Sequence, residues 1–267
     1  MRTHMQGAGS SAVRGRGVAQ SWLFLAALGA AAWVVTVAQA RGMGASPGTM
    51  GMALPAFAAM WAVMMAAMML PALGPEAAGE VGGDNIASRA GTVLSFGAGF
   101  LLPWVAYGVL AFAALEGTGR LAASSPEVAK WVGVAIFAVA GVYQLTPWKL
   151  SALLHCRMPM RPHPAESVGA ALLAGAADGT VCVGCCWALM TILIAVGVMN
   201  VAAMVGLATV IFAEKVLTRP RLVAAISGIA FLALALVAAV HPSILHGLTT
   251  GGAQMRTHMG GSNMGGM

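Results

Sequence analysis

Apolar residues run through this chain in long blocks broken by short polar joints. Seven blocks stand out, at about 21–40, 53–72, 91–115, 129–147, 181–199, 201–214 and 222–241. None shows the two-residue alternation of a membrane barrel strand. A helix that crosses a bilayer needs about 20 apolar residues, and backbone facing lipid must satisfy its own hydrogen bonds. The pattern predicts an all-α fold: a polytopic transmembrane helix bundle of about seven spans. The third block is long enough to tilt, and the sixth is short. Residues 167–178 form a further apolar stretch, too short to span alone. It is expected to be a short re-entrant or interfacial helix, or an extension of the fifth span broken at Asp178-Gly179.

Composition agrees with this pattern. Of 267 residues, 59% are hydrophobic and only 8% charged, against about 25% charged in a soluble domain. The mean hydropathy is +0.84. The 35 glycines suit helices that approach closely in a membrane. The net charge of +6 does not indicate nucleic acid, because the basic residues form no stripe and no aromatic platform accompanies them. They set orientation instead. With the N-terminus inside, Arg2, Arg14, Arg16, Arg89, Lys149, Arg157, Arg161, Lys215, Arg219 and Arg221 fall inside, against Arg41, Arg120, Lys130 and Arg256 outside. Positive residues favour the cytoplasmic side. The expectation is a multi-pass protein of a bacterial inner membrane, N-terminus inside and C-terminus outside. Glu76, Glu80 and Asp84 share an inside loop, but acidic residues contribute little to the rule. The first block ends Val37-Ala38-Gln39-Ala40 after Arg14 and Arg16, like a signal peptide with its cleavage site. Its length favours a retained helix. The membrane domain is thus 21–241. It is flanked by a segment at 1–20 and a Met/Gly/His-rich tail at 242–267, both expected to be disordered.

Sulfur is the candidate chemistry. Cys182, Cys185 and Cys186 stand at i, i+3 and i+4, which places three thiols on one face of a helix. A fourth, Cys156, follows His155 in the loop after the fourth block. No cysteine lies in an outside loop, so an extracellular disulfide framework is not expected. The alternative is packing, since free cysteine behaves as a small hydrophobe. A methionine stripe, Met60, Met64 and Met68 with Met65 and Met69, lies in the second block. Methionine is also a common filler of apolar helices. The chain has 19 methionines, however, and several fall outside the blocks: Met43, Met50, Met52, Met255, Met259, Met264 and Met267. Thiolates and thioethers are soft ligands that select Cu(I). Pro71 marks the inner end of the second span, and Cys182 begins the fifth span on the same side. Met64, Met68, Cys182, Cys185 and Cys186 are therefore expected to line one metal site, with His155 and Cys156 as neighbours. Both termini carry the repeat Met-Arg-Thr-His-Met, at 1–5 and 255–259. It is either a weak copper collector or low-complexity sequence.

Other polar residues in the blocks need partners. Gln144 is one. Glu214-Lys215 could pair with each other or with lipid headgroups. Pro147 ends the fourth span, and Asn200 makes a tight turn after Gly197-Val198-Met199. No Ser-His-Asp set, phosphate loop or paired acids suit catalysis, and no enzyme is expected.

Several pieces together resemble a bacterial family of unknown function described as predicted metal-binding integral membrane proteins. They are Trp61-x-x-Met64-x-x-Ala67-Met68-Met69-x-Pro71, Gly141-x-Tyr143-Gln144-x-Thr146-Pro147-x-Lys149, Cys156-Arg157-x-Pro159, Cys182-x-Gly184-Cys185-Cys186-Trp187-Ala188-Leu189-Met190, Gly197-x-Met199-Asn200 and Glu214-Lys215. The resemblance implies metal binding. It also implies a His-Gly ahead of the first cysteine, where this chain has Asp178-Gly179.

The first functional reading is a membrane protein that binds Cu(I) through Met and Cys sulfurs for copper delivery, transport or homeostasis. Its partners would be the lipid bilayer and a copper chaperone or metalloprotein. A thiol-redox or cofactor-binding protein and a structural membrane subunit are the alternatives. The oligomeric state is not legible.

Overall fold

The computed structural model describes residues 3–43, 49, 51–73, 86–158, 165 and 167–249. Every regular element among them is a helix: α1 (Thr3–Met43), α2 (Leu54–Met69), α3 (Ile86–Ser124), α4 (Pro126–Gln144), α5 (Pro147–Cys156), α6 (Val168–Val196), α7 (Val201–Val216) and α8 (Pro220–Val240), then a 3-10 turn (Pro242–Ile244) and α9 (His246–Thr249). The expected all-α class is observed. α1 begins inside the segment expected to be disordered. The C-terminal repeat, the tail methionines and the acidic loop of Glu76, Glu80 and Asp84 lie outside the described residues.

Among the described residues five helices are long and apolar enough to cross a membrane: Ala19–Gly42 within α1, Ala87–Ser124 within α3, and α4, α6 and α8 entire. The predicted spans at 53–72 and 201–214 are helices too, but α2 and α7 have only 16 residues each. At 1.5 Å per residue each measures about 24 Å, shorter than a hydrocarbon core of about 30 Å. Outward faces carry exposed aliphatic side chains, among them Leu110, Leu236 and Val240, an exterior compatible with lipid.

Two expectations are corrected. The stretch 167–178 is not a separate re-entrant helix, and Asp178-Gly179 is no break, because α6 runs through both without interruption. Gly179 serves contact, not bending. A Cβ there would lie 2.3 Å from the Phe100 carbonyl oxygen of α3, and one at Gly175 would lie 2.0 Å from that of Phe96. The two glycines, four residues apart, let the backbones of α3 and α6 touch, as small residues do where membrane helices cross. In consequence Cys182 does not begin its helix. It lies fourteen residues beyond Val168, about 21 Å along the axis.

The second correction concerns the loop expected after the fourth span. Its first part is the helix α5. Pro147 does not merely end α4. It occupies the first turn of α5, where a missing N–H costs nothing, and the Thr146 hydroxyl caps that turn by accepting from the Lys149 amide at 3.2 Å. Lys149 and Leu153 are fully buried, and α5 docks chiefly against α6. At the far end of α6 the chain reverses at Gly197, whose φ of 100° suits glycine. Asn200 then caps α7, its side-chain oxygen accepting from the Ala203 amide at 3.1 Å.

Candidate metal centre

Helix geometry alone puts Cys182, Cys185 and Cys186 on one face of α6, and all three are buried. The packing of α5 supplies the fourth thiol. Cys156, the last residue of α5, brings its Sγ into a group with those of Cys182 and Cys185 in which all three lie within 4.8 Å of one another. Cys186 Sγ is 3.2 Å from Cys185 Sγ, and all four cysteines are free thiols.

Charged and polar groups surround this cluster. Lys215 Nζ on α7 donates to Cys182 Sγ at 3.2 Å. The adjacent Glu214 points elsewhere, since consecutive helical residues diverge by about 100°. One of its carboxylate oxygens accepts from Lys149 Nζ at 2.7 Å and the other from Gln144 Nε2. Both members of the Lys149–Glu214 pair are completely buried. Lys149 Nζ also donates to the Cys185 carbonyl at 2.6 Å, and Gln144 Nε2 to Ser227 Oγ at 2.8 Å. Tyr143 donates its hydroxyl proton to the Gly184 carbonyl and sets its ring edge-on to Trp187, with centroids 5.1 Å apart. The thiol-bearing turn of α6 is therefore held by α4 through Tyr143, by α5 through Lys149 and by α7 through Lys215.

Glu214 and Lys215 thus neither pair with each other nor reach out to headgroups. In the sequence Lys149 stands as an inside charge and as part of the resemblance motif, and neither places it beside the thiols. The available signal was the rule that ionisable residues among apolar helices seek partners. With two lysines and one glutamate flanking sulfur motifs, that rule pointed here. Gln144 finds the partners expected of it in Glu214 and Ser227.

The remaining predicted ligands lie in different settings. His155 is exposed, with Nδ1 2.8 Å from the carbonyl oxygen of Ser151 on its own helix, and it is outside the thiol group. Met64 and Met68 are buried on α2, which packs chiefly against α1 and α3. Met68 also borders a groove of about 310 Å³ with Trp33 and Pro71 on one side and Val205 and Phe212 of α7 on the other.

The donor set of the cluster is sulfur alone, because both oxygens of Glu214 are already engaged. Such a set fits a soft ion rather than Mg or Ca. Charge fits as well. Lys149 and Glu214 cancel. With two of the four cysteines ionised and the other two kept as thiols, a site holding one monovalent ion would carry a single negative charge, and the Lys215 ammonium would oppose it at contact distance. A charge buried without such a partner would be costly.

Fold and site together define a helical protein with long apolar helices and a buried thiol cluster able to hold a metal. The PpoB2 family, described as a copper chaperone, matches residues 58–238, and the chain belongs to that family. The match takes in α3 to α7 whole and every cysteine. No curated protein and no solved structure matches the chain.

Proposed function

We propose that this protein is an integral membrane copper chaperone that binds Cu(I) through Cys156, Cys182, Cys185 and Cys186 and passes it to a metalloprotein. The convergence of thiols from α5 and α6 carries the reading: soft donors, three of them buried and Cys156 half-buried, with a compensating ammonium and, among the described residues, no carboxylate grouped with them. Membership of a copper chaperone family supports the choice of metal. The ion is cargo, so the protein needs no catalytic residue, and we assign it no enzymatic activity. Met64 and Met68 pack on α2 against α1 and α3 and are left out of the site, and His155 stands at the exposed end of α5. The apolar exterior and the five long helices support insertion in a bacterial inner membrane, and the distribution of Lys and Arg supports an inside N-terminus and an outside C-terminus.

Anaerobic titration of purified protein against a calibrated Cu(I) chelator tests the reading. Cu(I) should be held more tightly than Zn(II). Zinc retention with no measurable Cu(I) would refute it. Orientation is tested separately: Ser262→Cys should react with an impermeant thiol reagent in intact cells, and labelling only after lysis would reverse the assigned topology.

A further inference from the structure

The corner where α5 meets α7 and α8 holds a cavity of about 510 Å³ that the thiol cluster does not use. Arg157, Arg219 and Arg221 line it, together with Leu154, Pro220 and Leu222. The three guanidinium groups come from two separate segments, the C-terminal end of α5 and the start of α8. None of them takes part in an ion pair among the described residues. The acid on the adjoining helix, Glu214, is held by Lys149 and Gln144. Arg157 Nη1 donates to the carbonyls of Glu214 and Leu217 at 2.7 and 2.8 Å, so one wall of the cavity is fixed in place while its other donors remain for a ligand.

Apolar side chains surround this basic corner. Next to its lining arginines, Met158 is 66% exposed, Leu217 52% and Leu222 51%. A water-filled anion site has no use for such a rim. Arginines beside exposed aliphatic side chains suit a membrane–water interface, where basic pockets between helices take lipid headgroups. Arginine forks also match phosphate oxygens in pairs, and the volume lies within the roughly 300–1,000 Å³ of small-molecule sites.

We propose that this cavity binds the phosphate of an anionic phospholipid, with the acyl chains lying along Leu154 and Leu222. The inference rests on the membrane reading above. It has a consequence for the metal site. Arg157 directly follows Cys156, so a lipid seated on Arg157 braces the end of the helix that presents the fourth thiol.

The test uses full-length protein reconstituted in nanodiscs of phosphatidylcholine with or without phosphatidylglycerol, then released and weighed by native mass spectrometry. Wild type should retain phosphatidylglycerol in preference to phosphatidylcholine. At about 1 kcal/mol per basic residue, Arg219→Gln with Arg221→Gln should lower that retention roughly thirtyfold. Arg219→Lys with Arg221→Lys keeps the charge and should preserve most of it, which guards against a folding artefact. Arg120→Gln, remote from the cavity, should change nothing. Equal retention of the two lipids by wild type, or undiminished phosphatidylglycerol in the glutamine variant, would overturn the proposal. Displacement of the lipid by millimolar inorganic phosphate would overturn it too, by making a free anion the occupant. A protein that stays monodisperse without detergent or lipid would instead refute the membrane reading itself.

Discussion

The thiol cluster and the methionine stripe are both sulfur-rich and both buried, yet their neighbours differ in kind. Around Cys182, Cys185 and Cys156 stand two lysines, a glutamate, a glutamine and a tyrosine, each bonded to a named partner. On the methionine helix α2 the large fully buried companions are the aromatic Phe57 and Trp61. Trp61 lies against Phe57 and Tyr107, and Phe57 against Phe112. Its indole donates to the Trp104 carbonyl at 2.9 Å, which joins α2 to α3. Thioethers gain from contacts with aromatic rings and fill irregular gaps, so the stripe has a sufficient reason to exist as packing. The thiol cluster has no comparable account. A fully buried ion pair beside the thiols and an ammonium set against Cys182 are expensive in an apolar bundle unless the charge is used. The difference teaches that sulfur content marks a region, whereas compensating charge marks a site.

The sharpest way to break this contrast is to remove the thiols. Cys185→Ser with Cys186→Ser should abolish tight Cu(I) binding, read by chelator competition, while helicity and membrane insertion persist. If copper still binds as in wild type, the contrast is void and the ion sits elsewhere.

Next in size is the buried ion pair. Glu214→Ala strands Lys149 without its counter-charge and should cost about 3–5 kcal/mol of stability, measured by chemical unfolding in micelles. Lys149→Met combined with Glu214→Leu removes both charges and should recover most of that loss. A Glu214→Ala variant as stable as wild type would mean that the pair does not hold the corner together.

Lys215 sharpens the comparison further. Lys215→Met leaves every thiol in place but deletes the opposing charge, and it should weaken Cu(I) binding by about 10- to 100-fold, as outer-shell changes at metal sites do. Lys215→Arg should be milder. Unchanged affinity in the methionine variant would show that charge compensation is not what distinguishes the cluster.

The smallest effect is expected in the stripe. Met64→Leu with Met68→Leu conserves volume and should change stability by less than about 1.5 kcal/mol, with Cu(I) affinity altered by no more than a few-fold. A larger loss of affinity in this variant would bring the thioethers into the site and erase the distinction.

What the sequence determined by itself is local. A helix needs only neighbours along the chain, so the apolar blocks showed where helices form, and the i, i+3, i+4 spacing put Cys182, Cys185 and Cys186 on one face. Soft donors then suggested a soft metal. The errors arose where local patterns are ambiguous. Asp178-Gly179 reads as a break until Phe100 of α3 is seen lying against Gly179, and ten residues starting at Pro147 are too few for their own pattern to declare a helix. The tertiary structure alone decided that α5 folds onto α6 and brings Cys156 to the other thiols. It also decided that Glu214 reaches Lys149 across 65 residues of sequence and that Lys215 turns to Cys182 instead of to its neighbour. Those pairings depend on which helices cross and at what register. That is set by the packing of whole faces, such as the glycine contact between α3 and α6, and no single segment encodes it.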